Sequence, residues 1–195
     1  MENYSQNEEQ RYILEACEHV TNRRWLDVGA CHFKTLSNTR ALYELGWSGV
    51  MVEAAPAMMA GLVRDLGTDE RIELVCAAMA TEKRLATLYV TDDILSTTVK
   101  EWREERETTA KWLGRMRIQT VTFADISNWF EGFEFVNIDT EGTSVDLAFA
   151  MLDTGWRPRC CCIENDGRMN ELCSKFTQTG YKLVYASGEN GVFSK

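Results

Sequence analysis

Four carboxylates in this chain close short, mostly apolar runs: Asp27 after Trp25-Leu26, Glu53 after Val50-Met51-Val52, Asp139 after Val136-Asn137-Ile138, and Glu164 after the run 160–163. An apolar run of that length reads as a buried strand, and in an open α/β sheet the carboxyl ends of the strands floor the ligand crevice. Carboxylates delivered there can accept hydrogen bonds from sugar hydroxyls, take up a proton as general bases, or ligate a hard cation. Glu141, Asn165 and His32 lie within a few residues of the same strand ends and join the candidates. The imidazole of His32 suits base chemistry at neutral pH, and it equally well faces water or holds a ligand carboxylate.

The elements that would position these groups alternate. An amphipathic helix over 7–20 carries Ile13, Ala16, Cys17 and Val20 on one face and belongs to an N-terminal extension, 1–22, with a packing role. A first strand ends at Asp27-Val28-Gly29-Ala30; a turn, 31–37, and a helix over 38–45 stopped by Gly46 follow. A second strand, 49–53, precedes a helix over 57–66 opened by Pro56. Glu53 stands a little over twenty residues beyond Gly29, about the spacing that puts an acid on a ribose in dinucleotide-type folds, so an adenosine-containing cofactor is implied. A solvated acid at a strand end is the plainer alternative. A third strand over 71–79 ends in Ala77-Ala78, small residues against which a flat ring can lie, and 83–90 reads as a strand near an edge.

The stretch 91–114 is charged, with Trp102 and Trp112 among Lys100, Arg103, Arg106 and Lys111. Offset by Glu101, Glu104, Glu105 and Glu107, it reads either as a solvated helix laced by charge pairs or, over 91–116, as a lid on the substrate. Further strands are expected at 117–122, 133–139 and 159–163, with helices at 124–130, after a Thr143–Asp146 capping box, and at 169–179. Strands at 181–186 and 191–194 would form a terminal antiparallel hairpin turning at Asn190-Gly191. The prediction is one α/β domain over 1–195.

Twenty-one basic against thirty acidic residues leave a formal charge of −9, which argues against nucleic acid or an anionic membrane as partner. With no apolar run long enough to cross a bilayer and a polar, acidic start, the protein is expected in the cytoplasm, as a monomer or homodimer. Seven cysteines, three of them consecutive at 160–162, without any CxxC pair, read as reduced and mostly buried thiols rather than as zinc ligands.

Taken in order, Asp27-Val28-Gly29-Ala30, Ser37-Asn38-Thr39, Gly46-Trp47-Ser48-Gly49-Val50, Val52-Glu53 with Pro56, Ile138-Asp139 with Glu141-Gly142, and Ile163-Glu164 resemble the FkbM family of S-adenosylmethionine-dependent methyltransferases, in its Ser-Asn-Thr-containing subgroup. The resemblance spans 24–193. It implies a Rossmann-like methyltransferase fold: a mostly parallel seven-stranded sheet, a C-terminal antiparallel hairpin, and helices on both faces. It also implies methyl transfer to a hydroxyl of a saccharide or small metabolite. The cofactor's methionine end would lie over Asp27, Gly29 and Ala30 and its ribose on Glu53, with Ala54 and Ala77 completing the pocket and Asp139 bordering both sulfonium and acceptor. The sequence departs from the family at Phe33, where many members have a second glycine, and at Ser144, where an acid is usual.

Proton removal from an acceptor hydroxyl would fall to Asp139 first, then His32, with Glu141 at the same rim. A bolder reading lets Asp139, Glu164 and Asn165 hold magnesium, by analogy with catechol O-methyltransferases. The competing functions are a binding domain that keeps S-adenosylmethionine without turnover, and an NAD-dependent oxidoreductase. The latter is opposed by the missing GxGxxG turn.

Overall fold

The computed structural model describes residues 2–92 and 94–195. In chain order the elements are α1 (Glu9–Cys17), β1 (Arg24–Val28), α2 (Arg40–Glu44), β2 (Ser48–Glu53), α3 (Pro56–Leu66), β3 (Ile72–Cys76), β4 (Ala78–Met79), β5 (Leu85–Thr91), α4 (Lys100–Glu105), β6 (Trp112–Val121), α5 (Phe123–Trp129), β7 (Phe135–Ile138), α6 (Ser144–Asp153), β8 (Cys160–Glu164), α7 (Met169–Gln178), β9 (Lys182–Ala186) and β10 (Asn190–Ser194). Seven strands form one sheet in the order β3-β2-β1-β7-β8-β10-β9, parallel from β3 to β8, with β10 antiparallel to both neighbours. This is the expected sheet, with the expected terminal hairpin.

Side-chain alternation divides the core in two. Leu26, Val28, Val136, Ile138, Cys161 and Ile163 pack against α5, α6 and α7, whereas Trp25, Met51, Phe135, Cys160 and Cys162 meet α1, α2 and α3 on the other face. Gly49 is required beneath Trp25, because a Cβ there would lie 2.2 Å from the indole ring. All seven cysteines are free; those at 17, 160, 161 and 162 are buried, and burial pushes the three thiols of β8 up.

The register explains how the strand-end residues gather. Val28 lies opposite both Val52 and Ile138, and Ile138 opposite Ile163, so Gly29, Glu53, Asp139 and Glu164 leave the sheet level with one another. β1 and β7 run parallel, but strand addition proceeds outward in one direction from β1 to β3 and in the other from β7, which makes their carboxyl ends the topological switch point of the sheet.

Several local expectations change. The run 71–79 is not one strand: Ala77 donates to Glu53 O at 3.2 Å, the chain turns there, and Ala78-Met79 pair with Thr120-Val121 in a second sheet of order β4-β6-β5. Among the described residues of the charged stretch only Lys100–Glu105 is helical, and the strand expected at 117–122 begins at Trp112, antiparallel to β5. Thr143 makes no side-chain cap; Asp166 Oδ2 instead accepts from Val145 N at 3.1 Å. The capping box that does form is Thr122–Asp125, at the start of α5. Asn190-Gly191 are the first residues of β10, and the turn lies before them, where Asn190 N donates to Ser187 Oγ at 2.9 Å.

Gly29 holds the switch point together. Its φ is +81°, and an added Cβ would stand 1.7 Å from Asp139 O. Strain and overlap together place Gly29→Ala among severely destabilising changes, about 3 kcal/mol, or roughly 6–12 °C in the unfolding midpoint for a chain of this length. Gly188→Ala, where a Cβ meets nothing within 4 Å, is the control and stays within about 0.5 kcal/mol in the same melts.

Candidate active site

The level strand ends open into a cavity of about 350 Å³, within the ~300–1,000 Å³ range of small-molecule sites. Asp27, Gly29, Ala30, His32, Glu53, Ala54, Ala77, Asp139, Glu141 and Glu164 all line it, so the structure brings together the predicted groups with one exception. The exception is Asn165. Its Nδ2 donates to Gly188 O at 3.0 Å and its Oδ1 accepts from Gly167 N at 2.8 Å, which commits the amide to its own turn after β8 and to the loop before β10.

At the floor, the buried Asp27 carboxylate accepts from Thr39 Oγ1 at 2.7 Å and from Asn137 Nδ2 at 2.8 Å, while Asn38 Nδ2 donates to Asn137 Oδ1 at 3.0 Å. Burial pushes the Asp27 carboxyl up, and the two hydrogen bonds pull it back. Its side chain thus fixes the Ser37-Asn38-Thr39 turn. Phe33 fills its position rather than leaving a gap: it is buried edge-on to Tyr43 at 4.9 Å and beneath the Arg40 guanidinium at 4.5 Å.

Glu53 is 7% exposed. Its carboxylate accepts from Cys31 N at 2.9 Å and Ala55 N at 2.6 Å, joining the loops that follow β1 and β2. Burial raises its carboxyl against those hydrogen bonds. Beside it Ala54, Ala77 and Ala78 leave a flat wall.

Across the switch point a second set of acids meets. Asp139 and Glu164 face each other at hydrogen-bonding range, and burial together with the charges of Glu164 and Glu141 raises the Asp139 carboxyl well above the carboxylate range. One proton shared by the pair satisfies both, and the two titrate as a unit. Ser144 Oγ donates to Glu164 Oε2 at 2.7 Å and Thr140 N donates to Ser144 Oγ at 2.9 Å, so Ser144 orients the acid pair. Asp139, Glu141 and Glu164 each present an oxygen within 4.8 Å of the others, a spacing that a hard divalent cation could also bridge, with Glu141 in the place expected of Asn165. His32 is exposed at the rim, and among the described residues no hydrogen bond orients its ring.

Parts of the wall were not anticipated. The segment before α1 crosses the site: Ser37 N donates to Tyr4 O at 2.9 Å, Gln6 lines the cavity, and the fully buried Glu9 accepts from Asn7 N at 2.8 Å and Asn190 Nδ2 at 3.4 Å. Residues 94–98 and Arg106 complete the opposite wall, and Thr97 Oγ1 donates to Glu141 O at 2.7 Å. The sequence marked Asp27 and Ser37-Asn38-Thr39, and Asn137, a polar residue inside an apolar strand, is the further signal that they meet in one buried network.

No protein-family model matches the chain, and no curated protein is similar to it at a significant level. Solved structures do match in shape. The Podospora anserina methyltransferase PaMTH1, bound to S-adenosylhomocysteine (SAH), superposes over 97% of this chain and 79% of its own with a TM-score of 0.53 at 9% identity. The methyltransferase FkbM from Methylobacillus flagellatus gives 0.55 at 13% identity over 95% of this chain, which spans 50% of that protein's length. Precorrin-6y C5,15-methyltransferase from Geobacter metallireducens gives 0.54 at 10% identity, covering 100% and 92% of the two chains. The chain has the Rossmann-like methyltransferase fold. In this fold the two acid groups flank the switch point, Glu53 on one side and Asp139 with Glu164 on the other.

Because Asp139 keeps its proton to a higher pH folded than unfolded, the folded chain binds more protons between the ordinary aspartate range and the raised value. Stability therefore falls as pH rises through that window and is level above it. Asp139→Asn removes this loss. Its midpoint should exceed the parent's by about 2–4 °C at pH 7.5, the scale of ~1 kcal/mol in a chain of this size, and match it near pH 4. Melts at the two pH values check both.

Proposed function

We propose that this protein is an S-adenosylmethionine-dependent methyltransferase of the FkbM type, transferring a methyl group to a hydroxyl of a saccharide or small-metabolite acceptor. The observation that carries the reading is the buried Glu53 carboxylate at the end of β2, level with Gly29 at the switch point and open to an acid-lined cavity. A carboxylate there suits ribose hydroxyls, the alanine wall suits an adenine ring, and carboxyls around the floor suit a ligand carrying sulfonium and ammonium charge. The same walls disfavour the pyrophosphate of a nicotinamide dinucleotide. Moreover α2 starts only at Arg40 and runs five residues, so no helix N-terminus stands directly beyond Gly29 to receive a diphosphate.

When bound, S-adenosylmethionine supplies an electrophilic methyl carbon for in-line displacement by an acceptor oxygen. The chain's part is to position and to take a proton. Gly29 lets the first loop pass against the Asp139 backbone, and Glu53 fixes that loop through Cys31 N. The Asp139–Glu164 pair, sharing one proton, keeps one basic oxygen for the acceptor hydroxyl, and its raised affinity for protons makes it a stronger base than an isolated carboxylate. Residues 94–98, tied to Glu141 by Thr97, exclude water from that side.

Calorimetry with SAH and NAD tests the assignment. SAH should bind, Glu53→Ala should weaken it about tenfold or more, as expected from loss of a charged hydrogen-bonding group, and NAD should give no heat. Asp139→Asn should retain SAH binding while methyl transfer to hydroxyl acceptors falls about 10²-fold or more. Absence of SAH binding by the folded protein would remove the basis of the proposal.

A further inference from the structure

Arg106 is the one Lys or Arg among the described residues that line the cavity, in a wall that otherwise carries Asp27, Glu53, Asp139, Glu141, Glu164 and Glu189. Among the described residues its ion pair runs instead to its chain neighbour Glu105, at 3.7 Å, with Glu105 74% exposed. The guanidinium lies over the Trp102 ring at 3.7 Å. Trp102 in turn packs on Gly142, where an added Cβ would stand 2.7 Å from Trp102 Cδ1. The backbone of Arg106 is held as well, its carbonyl accepting from Trp112 Nε1 at 3.2 Å and Ala110 N at 3.1 Å. Through Gly142 and through the Thr97–Glu141 bond, this arm is fixed to the loop that follows Asp139, on the acceptor side of the switch point.

A guanidinium stacked on an aromatic face and not consumed by a buried carboxylate is a preorganised fork for two oxygens of one oxyanion. We infer that Arg106, held over Trp102, is a specificity-determining residue that selects acceptors carrying a carboxylate or phosphate near the hydroxyl to be methylated. The inference rests on the methyltransferase reading for the word acceptor, but not for the anion site itself.

The test titrates the protein, with and without saturating SAH, with methyl phosphate, with 4-hydroxybenzoate, and with its neutral counterpart 4-hydroxybenzyl alcohol, following the Trp102 indole resonance. At least one anion should bind about tenfold or more tightly than the alcohol, as expected for a charged bidentate contact. Arg106→Gln should erase that preference, Arg106→Lys should restore only part of it, and neither should change SAH affinity or the melting midpoint. A preference for phosphate or for carboxylate identifies the oxyanion, and either supports the inference. Equal binding of anions and alcohol, or a preference that survives in Arg106→Gln, overturns it. Loss of SAH affinity in Arg106→Gln also overturns it, by assigning the guanidinium to the cofactor. Anion preference that follows Arg106 while SAH fails to bind any form would leave the anion site standing and remove the methyltransferase reading instead.

Discussion

The buried carboxylate of Asp27 is the constraint on which the site depends. Both of its oxygens are taken by groups that have no other reason to meet: the hydroxyl of Thr39, beyond the first loop, and the amide of Asn137, on the neighbouring strand. Asn38 closes the set by donating to Asn137 and, at 3.4 Å, to Cys162 Sγ. Breaking such a buried charged network by removing one member typically costs on the order of 3–5 kcal/mol, because the remaining groups stay buried without partners. The network therefore fixes the path of the loop from Gly29 to Thr39, and with it the entrance to the cavity. Tyr4 binds the same turn through Ser37, so the N-terminal segment is held in place by it too.

A second constraint is electrostatic. Parallel strands in matched register bring Glu53, Asp139 and Glu164 to one level, and the sheet offers no basic strand-end residue to offset them. Burial raises all three carboxyls, with the charge of Glu164 adding to it at Asp139 and that of Asp166 at Glu164, which is unfavourable to the folded state at neutral pH yet useful to a site that must take a proton and hold a cationic ligand. The fold offsets part of the cost locally: Glu53 accepts two backbone N–H groups, Glu164 accepts from Ser144 and Glu141 N, and Asp166 accepts from Gly142 N and Val145 N at the start of α6. Ser144 and Phe33 both carry structural duties in this arrangement, the one on the acid pair, the other under Arg40.

Strands β1, β2, β7 and β8 were legible because each is a short apolar run with an acid at or just beyond its end, and helices α3 and α7 because an N-terminal proline and a following glycine mark them. Their parallel order and level ends followed. What escaped the sequence has distant partners. Trp112–Leu113-Gly114-Arg115 carries no strand signal of its own; it is a strand because β5 pairs with it, and most of its side chains remain exposed. β3 ends where the chain turns at Ala77, whose N–H also points back to Val75 O at 3.1 Å, so that Ala78-Met79 can pair with β6. The cap of α6 comes from Asp166, well beyond the expected Thr143 in the chain, and the Asn190-Gly191 pair enters a strand, with Asn190 turned inward toward Glu9. For the site, the acids were visible but their arrangement was not: Asn165 turns to a neighbouring loop, and Arg106 reaches the cavity only through its stack on Trp102.

The most direct measurement is a crystal structure of the protein with S-adenosylhomocysteine. The expected result has the ribose hydroxyls on the Glu53 carboxylate, the adenine against Ala54, Ala77 and Ala78, and the sulfur on the Asp139 side of Gly29. A ligand seated elsewhere on the molecule, or in this cavity with its ribose away from Glu53, would contradict the assignment of the switch-point cavity as the cofactor site.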